Sequence, residues 1–302
     1  MSKLMNLYFL IIFSVLGLFL NGCQVHKAPL QPVKSTYIAE KRIPIASASK
    51  VLIKGRVNLD LHTGYKQSIL LLKGDANTLA SVMINQSAAS TIAISSNSPV
   101  HAELRLNKLD SLHYVGNGTI TGNKIQAQAL QLYINNPGRT QLSGRIILRE
   151  LVITGGGNVT LQGVLANSLA ITVQDHSHLT LSGALNIRNL NIGGDSFINI
   201  SGMRSTHLSL LGRDHVHITL AGMAKLLEIN LWDYAECDAR NMYTTRAFVK
   251  THDHSAAKIN IKARQHALAL DASDIYFYHK AQMQTNLMGN NGAVLDLKDW
   301  HR

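Results

Sequence analysis

"VTLQGVLANSLAITVQDHSHLTLSG", residues 159–183, decides the fold. VTLQG at its start is answered by LTLSG at its end, and LAITV lies between them. Each segment alternates apolar and polar residues, the period-two signature of a strand with one buried face. The glycine-ended pattern recurs as TITG at Gly122, QLSG at Gly144, NISG at Gly202 and TLAG at Gly222. With Gly163 and Gly183, the glycines fall at intervals of 22, 19, 20, 19 and 20 residues. A weaker copy, KINIKA, ends at Ala263. A second alternating segment follows each glycine, starting at Leu130, Leu151, Leu169, Leu190, Leu208, Leu227, Ala247 and Leu268.

A repeat near 20 residues with two short strands per turn predicts an all-β fold, a single-stack right-handed β-helix. One coil cannot bury its own inward row; stacking coils about 4.8 Å apart buries it and pairs the backbone along the axis. Two inward columns follow from the first strands: Val159, Leu179, Ile198, Ile218 and Leu161, Leu181, Ile200, Leu220. The second strands give Leu169, Leu190, Leu208 and Ile171, Ile192, Leu210. Gly163, Gly183, Gly202 and Gly222 mark the bend. His178 and Thr180 then point outward, level with Asn158, Phe197 and His217. Asp175 and His176, Asp214 and His215, and also Asp195, Asp233 and Asp253 fall on turns, where an Asp side chain bonds to nearby backbone amides.

DHSH, DHVH and HDHS place His178, His217, His252 and His254 on neighbouring coils, so they are weak candidate metal ligands. Borderline metals want three or four converging ligands, and Phe197 interrupts the column. The expectation is a turn ladder with exposed histidines, no metal and no other cofactor. Trp232, Tyr234, Tyr276 and Tyr278 are candidate exposed aromatics that cover the wall or cap the last coil.

The amino terminus reads as an address. Lys3 precedes an apolar run from Leu7 to Leu20, shorter than the roughly 20 residues of a spanning helix. The segment ends LNGC, which resembles a bacterial lipobox, although Asn21 departs from it. The resemblance implies a signal peptide over residues 1–22, lipidation of Cys23 and membrane attachment through that lipid. The other reading is an uncleaved anchor with Cys23 a chance residue. Gln24, by resemblance to enterobacterial lipoproteins, implies the outer membrane of a Gram-negative bacterium. Residues 23–49 hold three of the five prolines and no periodicity, the composition of a tether.

The chain carries 29 Lys and Arg against 18 Asp and Glu, a formal charge of +11. That balance fits an anionic partner: nucleic acid, an acidic glycan, lipopolysaccharide or a membrane surface. The basic residues are scattered, without a basic run or a basic helix, which argues against nucleic acid. Cys23 and Cys237 belong to different contexts and make no disulfide framework.

Residues 51–115 contain VLIKGRVNLDL, then GDANTL, then TIAI, and the strand from Leu104 to Gly122 leads into the repeats. This order resembles the bacterial DUF2807 family, also called the auto-transporter adhesin head GIN domain. The resemblance spans about residues 50–280 and implies a β-helical, surface-attached domain; it carries over no catalytic residue. Residues 281–302 remain as a carboxy-terminal cap or tail that could fold over the open end. The bends QDHS, GRDH and THDH stand where the family has Gly- and Ser-rich ones.

β-Helices also host polysaccharide lyases and hydrolases, so a carbohydrate-active enzyme is the alternative reading. Glycoside hydrolysis needs two placed carboxylates. Glu40, Glu103, Glu150, Glu228 and Glu236 share no obvious column, the aspartates occupy turns, and no nucleophile-elbow, P-loop or zinc-protease motif is present. Cys237 beside Asp238 reads as a buried structural thiol. The expectation is a non-enzymatic, lipid-anchored envelope protein with an adhesin-like scaffold.

Overall fold

The computed structural model describes residues 38–87, 90–279 and 284–296. They form a β-solenoid of about nine coils, repeating every 20 residues or so. The regular part comprises β7 (Ile120–Asn135), β8 (Arg139–Thr154), β9 (Asn158–Val173), β10 (His178–Ile192), β11 (Phe197–Gly212), β12 (His217–Leu231), β13 (Glu236–Thr251) and β14 (Ala256–Leu270). Each pairs in parallel with the next.

Each long strand bends at two corners and shows three short faces. In β9 the buried residues are Val159 and Leu161 on the first face, Val164 and Ala166 on the second, and Leu169, Ile171 and Val173 on the third. The middle face is absent from the two-strand sequence reading, because only two residues per coil mark it. The first-face columns hold as expected: Leu179 lies between Val159 and Ile198, and Leu181 between Leu161 and Ile200. The third-face columns are corrected by one step of the pleat. Leu190 lies opposite Ile171 and Leu210, Ile192 opposite Val173 and Gly212, and Leu169 faces Ile187. Arg188 is one extra residue in β10: Ile187 pairs with Leu169 but Asn189 with Ala170, a bulge that keeps Leu190 and Ile192 facing inward and changes their partners.

The glycine corner is sterically required. Gly163 and Gly202 hold φ of +72° and +78°, and a Cβ there would lie 2.2 and 2.0 Å from the carbonyl oxygens of Gly144 and Gly183. Corner stacks on corner too closely for a side chain.

At the amino-terminal end the order in space departs from the order in sequence. β2 (Lys50–His62) takes β5 (Thr91–Arg105) on one edge, and β6 (Ser111–Gly116) with the start of β7 on the other. The chain therefore lays down an inner coil before the outer one. Antiparallel β3 (Ser68–Asp75) and β4 (Met83–Ser87) cover β5, and β1 (Ile38–Ile45) covers β3. Between β3 and β4 sits α1 (Ala76–Ser81), capped by Asp75, whose carboxylate accepts from the Thr78 amide at 3.3 Å. These elements close the edge that a first coil would otherwise leave unpaired.

Within the segment 23–49 expected to be a tether, Ile38–Ile45 is instead a strand, held because Ile43 and Ile45 pack on the core. The rest of that segment, the leader and Cys23 lie outside the described residues. At the other end, β15 (Asp274–His279), β16 (Gln284–Asn290) and β17 (Ala293–Asp296) stack in parallel on β14 and β15. They prolong the stack rather than fold across it. The apolar core runs unbroken from Ile45 to Phe277, and the described residues from Ile38 onward form one compact unit.

Candidate binding surface

The solenoid offers three strand faces and the turn edge joining each third face to the next first face. On that edge Asp175, Asp214, Asp233, Asp253 and Asp271 adopt φ between +57° and +66°. Their carboxylates accept from the amides one coil earlier: Gly155 and Gly194 at 2.8 Å, Asp214 and Asp233 at 3.2 Å, and Asp253 at 3.5 Å. Asp tolerates the left-handed region better than most residues, and its short carboxylate reaches backbone amides. Asp195 is displaced from this column; Gly194 takes the positive φ there. The following serines, Ser177, Ser196, Ser255 and Ser273, are buried and donate to the carbonyl three residues back at 2.6–2.9 Å. The D-H-S of residues 175–177 is therefore turn chemistry.

The side chains beside this spine stack as rings. His178, Phe197 and His217 form one ladder, with centroids 4.9 and 5.0 Å apart. Phe197, read from sequence as an interruption, is its middle rung. His215, Tyr234 and His254 form a second ladder at 4.9 and 5.1 Å. Below it Asp195 bridges His176 at 2.9 Å and His215 at 3.5 Å. Trp232 lies flat on His252 at 3.6 Å. Parallel coils place equivalent side chains about 4.8 Å apart, near the separation at which flat rings meet.

The four histidine candidates for metal thus fall into three separate ladders. His178 and His217 have a phenyl ring between them. His252, expected to be exposed, is buried beneath Trp232 and only 6% accessible. Burial, with Lys250 adding to it, pushes its pKa below the usual histidine value. Among the described residues, no three of His, Cys, Asp and Glu are grouped so as to hold a metal ion. Cys237 is buried on the inner side of β13 with its thiol pushed up to about 12, first by burial and then by Asp238. Asp238 is itself held below the ordinary carboxylate range by the Arg240 guanidinium at 2.6 Å. Tyr234 is exposed, whereas Tyr276 donates to Asp274 at 2.9 Å and the Tyr278 ring lies 5.5 Å from the Arg240 guanidinium carbon.

The sequence reading missed a cavity on the third face. It measures about 580 Å³ and is lined by outward side chains of β11 to β14, among them Ser209, Glu228, Asn230, Phe248, Lys250 and His266. Phe248 is 43% exposed and stacks on His266 at 4.8 Å. The Asn230 side-chain oxygen is buried there without a hydrogen-bond partner. Glu228, the carboxylate in the lining, lies 3.0 Å from His207. Ser209, Glu228, Phe248 and His266 share one column across the coils. They stand about 20 residues apart and form no motif; only the register collects them.

The model of the family described as "Putative auto-transporter adhesin, head GIN domain" matches residues 49–213, more than half of the chain. The chain belongs to the DUF2807 family. The DUF2807 match begins at the first coil strand and ends after β11, while the same coil geometry continues through β15. Three solved structures show likeness to this DUF2807 chain. One is a "putative adhesin" from Parabacteroides merdae, at 13% identity over 86% of this chain and 96% of the other, TM-score 0.45. Another is a "Putative lipid binding protein" from Parabacteroides distasonis, at 11% identity over 86% and 97%, TM-score 0.43. The third is a "putative adhesin" from the same species, at 12% over 87% and 98%, TM-score 0.41. No curated protein sequence matches the chain.

Proposed function

We propose that this DUF2807 protein is a non-enzymatic binding protein of the cell envelope, adhesin-like, held by a lipid on Cys23 at the outer membrane of a Gram-negative bacterium. The anchor rests on the apolar run and LNGC. The binding role rests on the third-face cavity. An exposed phenyl ring, a buried amide oxygen lacking a donor, and flanking Ser209 and Lys250 make a platform with apolar and polar parts, the composition of a ligand site. A glycan, including the sugar part of lipopolysaccharide, offers hydroxyls for Ser209 and Lys250 with an apolar ring face for Phe248. Hydrolysis is disfavoured because it wants two carboxylates about 5–9.5 Å apart, and this lining holds Glu228 alone.

The test is a glycan and lipopolysaccharide binding screen on residues 24–302, with Phe248→Ala beside the parent. A hit that Phe248→Ala weakens tenfold or more supports the reading; hits indifferent to Phe248 refute the cavity as the site. For the anchor, Cys23→Ser should abolish palmitate labelling and release the protein from membranes. Unchanged labelling and fractionation would refute it.

A further inference from the structure

The basic residues are scattered in sequence and gathered in space. In β8 to β14 the second face and its corners comprise residues 144–149, 163–168, 183–188, 202–207, 222–226, 242–246 and 261–264. These stretches hold eight Lys and Arg, all exposed, and no Asp or Glu. None of the eight makes an ion pair among the described residues. At about 4.8 Å per coil the strip runs about 29 Å. Its carboxy-terminal half, from β11 to β14, holds a shallow depression of about 420 Å³ lined by Arg204, Lys225 and Lys262 together with Met223 and Tyr243. Met223 is 50% and Tyr243 60% exposed, one coil apart in the same outward column as Arg204, and the Lys262 ammonium sits 5.2 Å from the Tyr243 ring centre. The turn edge, with its five ladder aspartates and Asp195, joins the third face to the first. It is therefore the corner that does not border the second face.

We infer that the second face is a docking surface for an anionic phospholipid bilayer. The solenoid then lies with this strip on the headgroups and its acidic turn edge turned away. Three observations favour a bilayer over other anions. The cations form a broad strip rather than a closed pocket, as a field of headgroup phosphates requires. A methionine and a tyrosine stand exposed among them, suited to the boundary between headgroups and acyl chains. A single-signed strip with the opposite sign on the far corner gives the molecule a preferred orientation against a charged plane. The inference deepens the proposed envelope role and rests on it for the presence of a bilayer, but it does not depend on the lipid at Cys23. A basic strip and a lipid act together as two weak attachments.

The experiment uses residues 24–302, without the lipidated cysteine; the described core lies wholly within them. Co-sedimentation is measured with vesicles of pure phosphatidylglycerol and of pure phosphatidylcholine. Strong binding to the first and weak binding to the second is expected. Each Lys or Arg near an anionic surface contributes about a fivefold factor, so Arg204→Gln, Lys225→Gln and Lys262→Gln together should weaken binding on the order of a hundredfold. Arg213→Gln, on the turn edge, should leave it within about a factor of two. All four side chains are exposed, and unchanged melting curves confirm that folding is intact. Equal binding to both vesicles, an unaffected triple variant, or an equal loss in Arg213→Gln would each overturn the inference. Displacement by inorganic phosphate at an ionic strength where chloride does not displace would assign the depression to a discrete phosphate instead. Tight binding to a soluble acidic polysaccharide without binding to phosphatidylglycerol would assign the strip to a polymer. Because Cys23 is absent throughout, failure here leaves the anchor untouched, and loss of palmitate labelling in Cys23→Ser leaves this result untouched.

Discussion

Replacing Leu181 by Asp tests both the solenoid and its register. Leu181 is fully buried between Leu161 and Ile200, whereas its neighbour Thr180 is exposed between Thr160 and Asn199. Truncating a buried leucine to alanine costs about 2–5 kcal/mol through lost transfer energy and the cavity left behind. Aspartate adds desolvation of a carboxyl group with no partner in an all-apolar column, several kcal/mol more even if it takes up a proton. The sum rivals the roughly 5–15 kcal/mol that stabilises a whole domain. In a solenoid, however, stability is set by each coil and its neighbours. The loss should therefore appear first as opening of β9 to β11. Amide hydrogen exchange should show lost protection over residues 158–212 in Leu181→Asp, with flanking coils retained, or no soluble protein at all. Leu181→Ala, a milder probe that should still fold, should lower stability by about 2–5 kcal/mol in urea. Thr180→Asp stays in water and should cost about 0.5 kcal/mol or less. If Thr180→Asp were the more damaging change, a one-residue slip would have reversed the faces. If both were silent, the coils would not be packed as described.

Gly202→Ala should destabilise well beyond the roughly 1–3 kcal/mol of left-handed strain, because its Cβ would meet the Gly183 carbonyl oxygen at 2.0 Å. Gly64→Ala, at φ +88° with nothing within 4 Å, should cost only the strain; equal losses in chemical denaturation would refute the packed corner. For His252, the lowered pKa means that the folded chain takes up a proton less readily than the unfolded one. Its contribution is complete above the unfolded value of about 6.5 and declines as pH falls below it. The thermal midpoint should therefore fall between about pH 7 and pH 5 by more in the parent than in His252→Gln, with Trp232 fluorescence changing over the same range; identical pH profiles would refute this. Because the histidines lie in separate ladders, melting in EDTA should match melting in buffer, and a drop of many degrees with stoichiometric zinc or copper by mass spectrometry would refute that assignment.

The first face was legible because alternation and the glycine interval fix both facing and spacing, so Leu161, Leu181, Ile200 and Leu220 align without a structure. The third face was legible in facing and not in partner: nothing local in LNIRNLNI, residues 185–192, tells that Arg188 absorbs an extra residue. The strand at Ile38–Ile45 was hidden because its partner is β3 and most of its side chains are exposed, leaving little periodicity to read. The outer position of β5 was equally hidden, since sequence neighbours are not spatial neighbours there. Candidate surface features failed for one shared reason. Residues such as Phe248 and His266, or Arg204 and Lys225, meet only across coils. No window of the sequence holds them together, and a count of scattered charges carries no face.

The aspartate spine has a direction. Each carboxylate fastens the turn laid down before its own, so a turn is complete only once its successor exists. The sequence breaks this rule once, at Gly194, which has no side chain to offer the turn at Asp175. A chain delivered amino-terminus first would thus close behind itself like a zip, the newest turn always the loosest. The amide of Asp271 receives no such bond among the described residues, and fraying should begin at that end. Pulse-labelled exchange of the turn amides would register this as protection falling from Asp214 through Asp253 to Asp271, with Asp175 out of line. A flat profile would deprive the spine of its polarity.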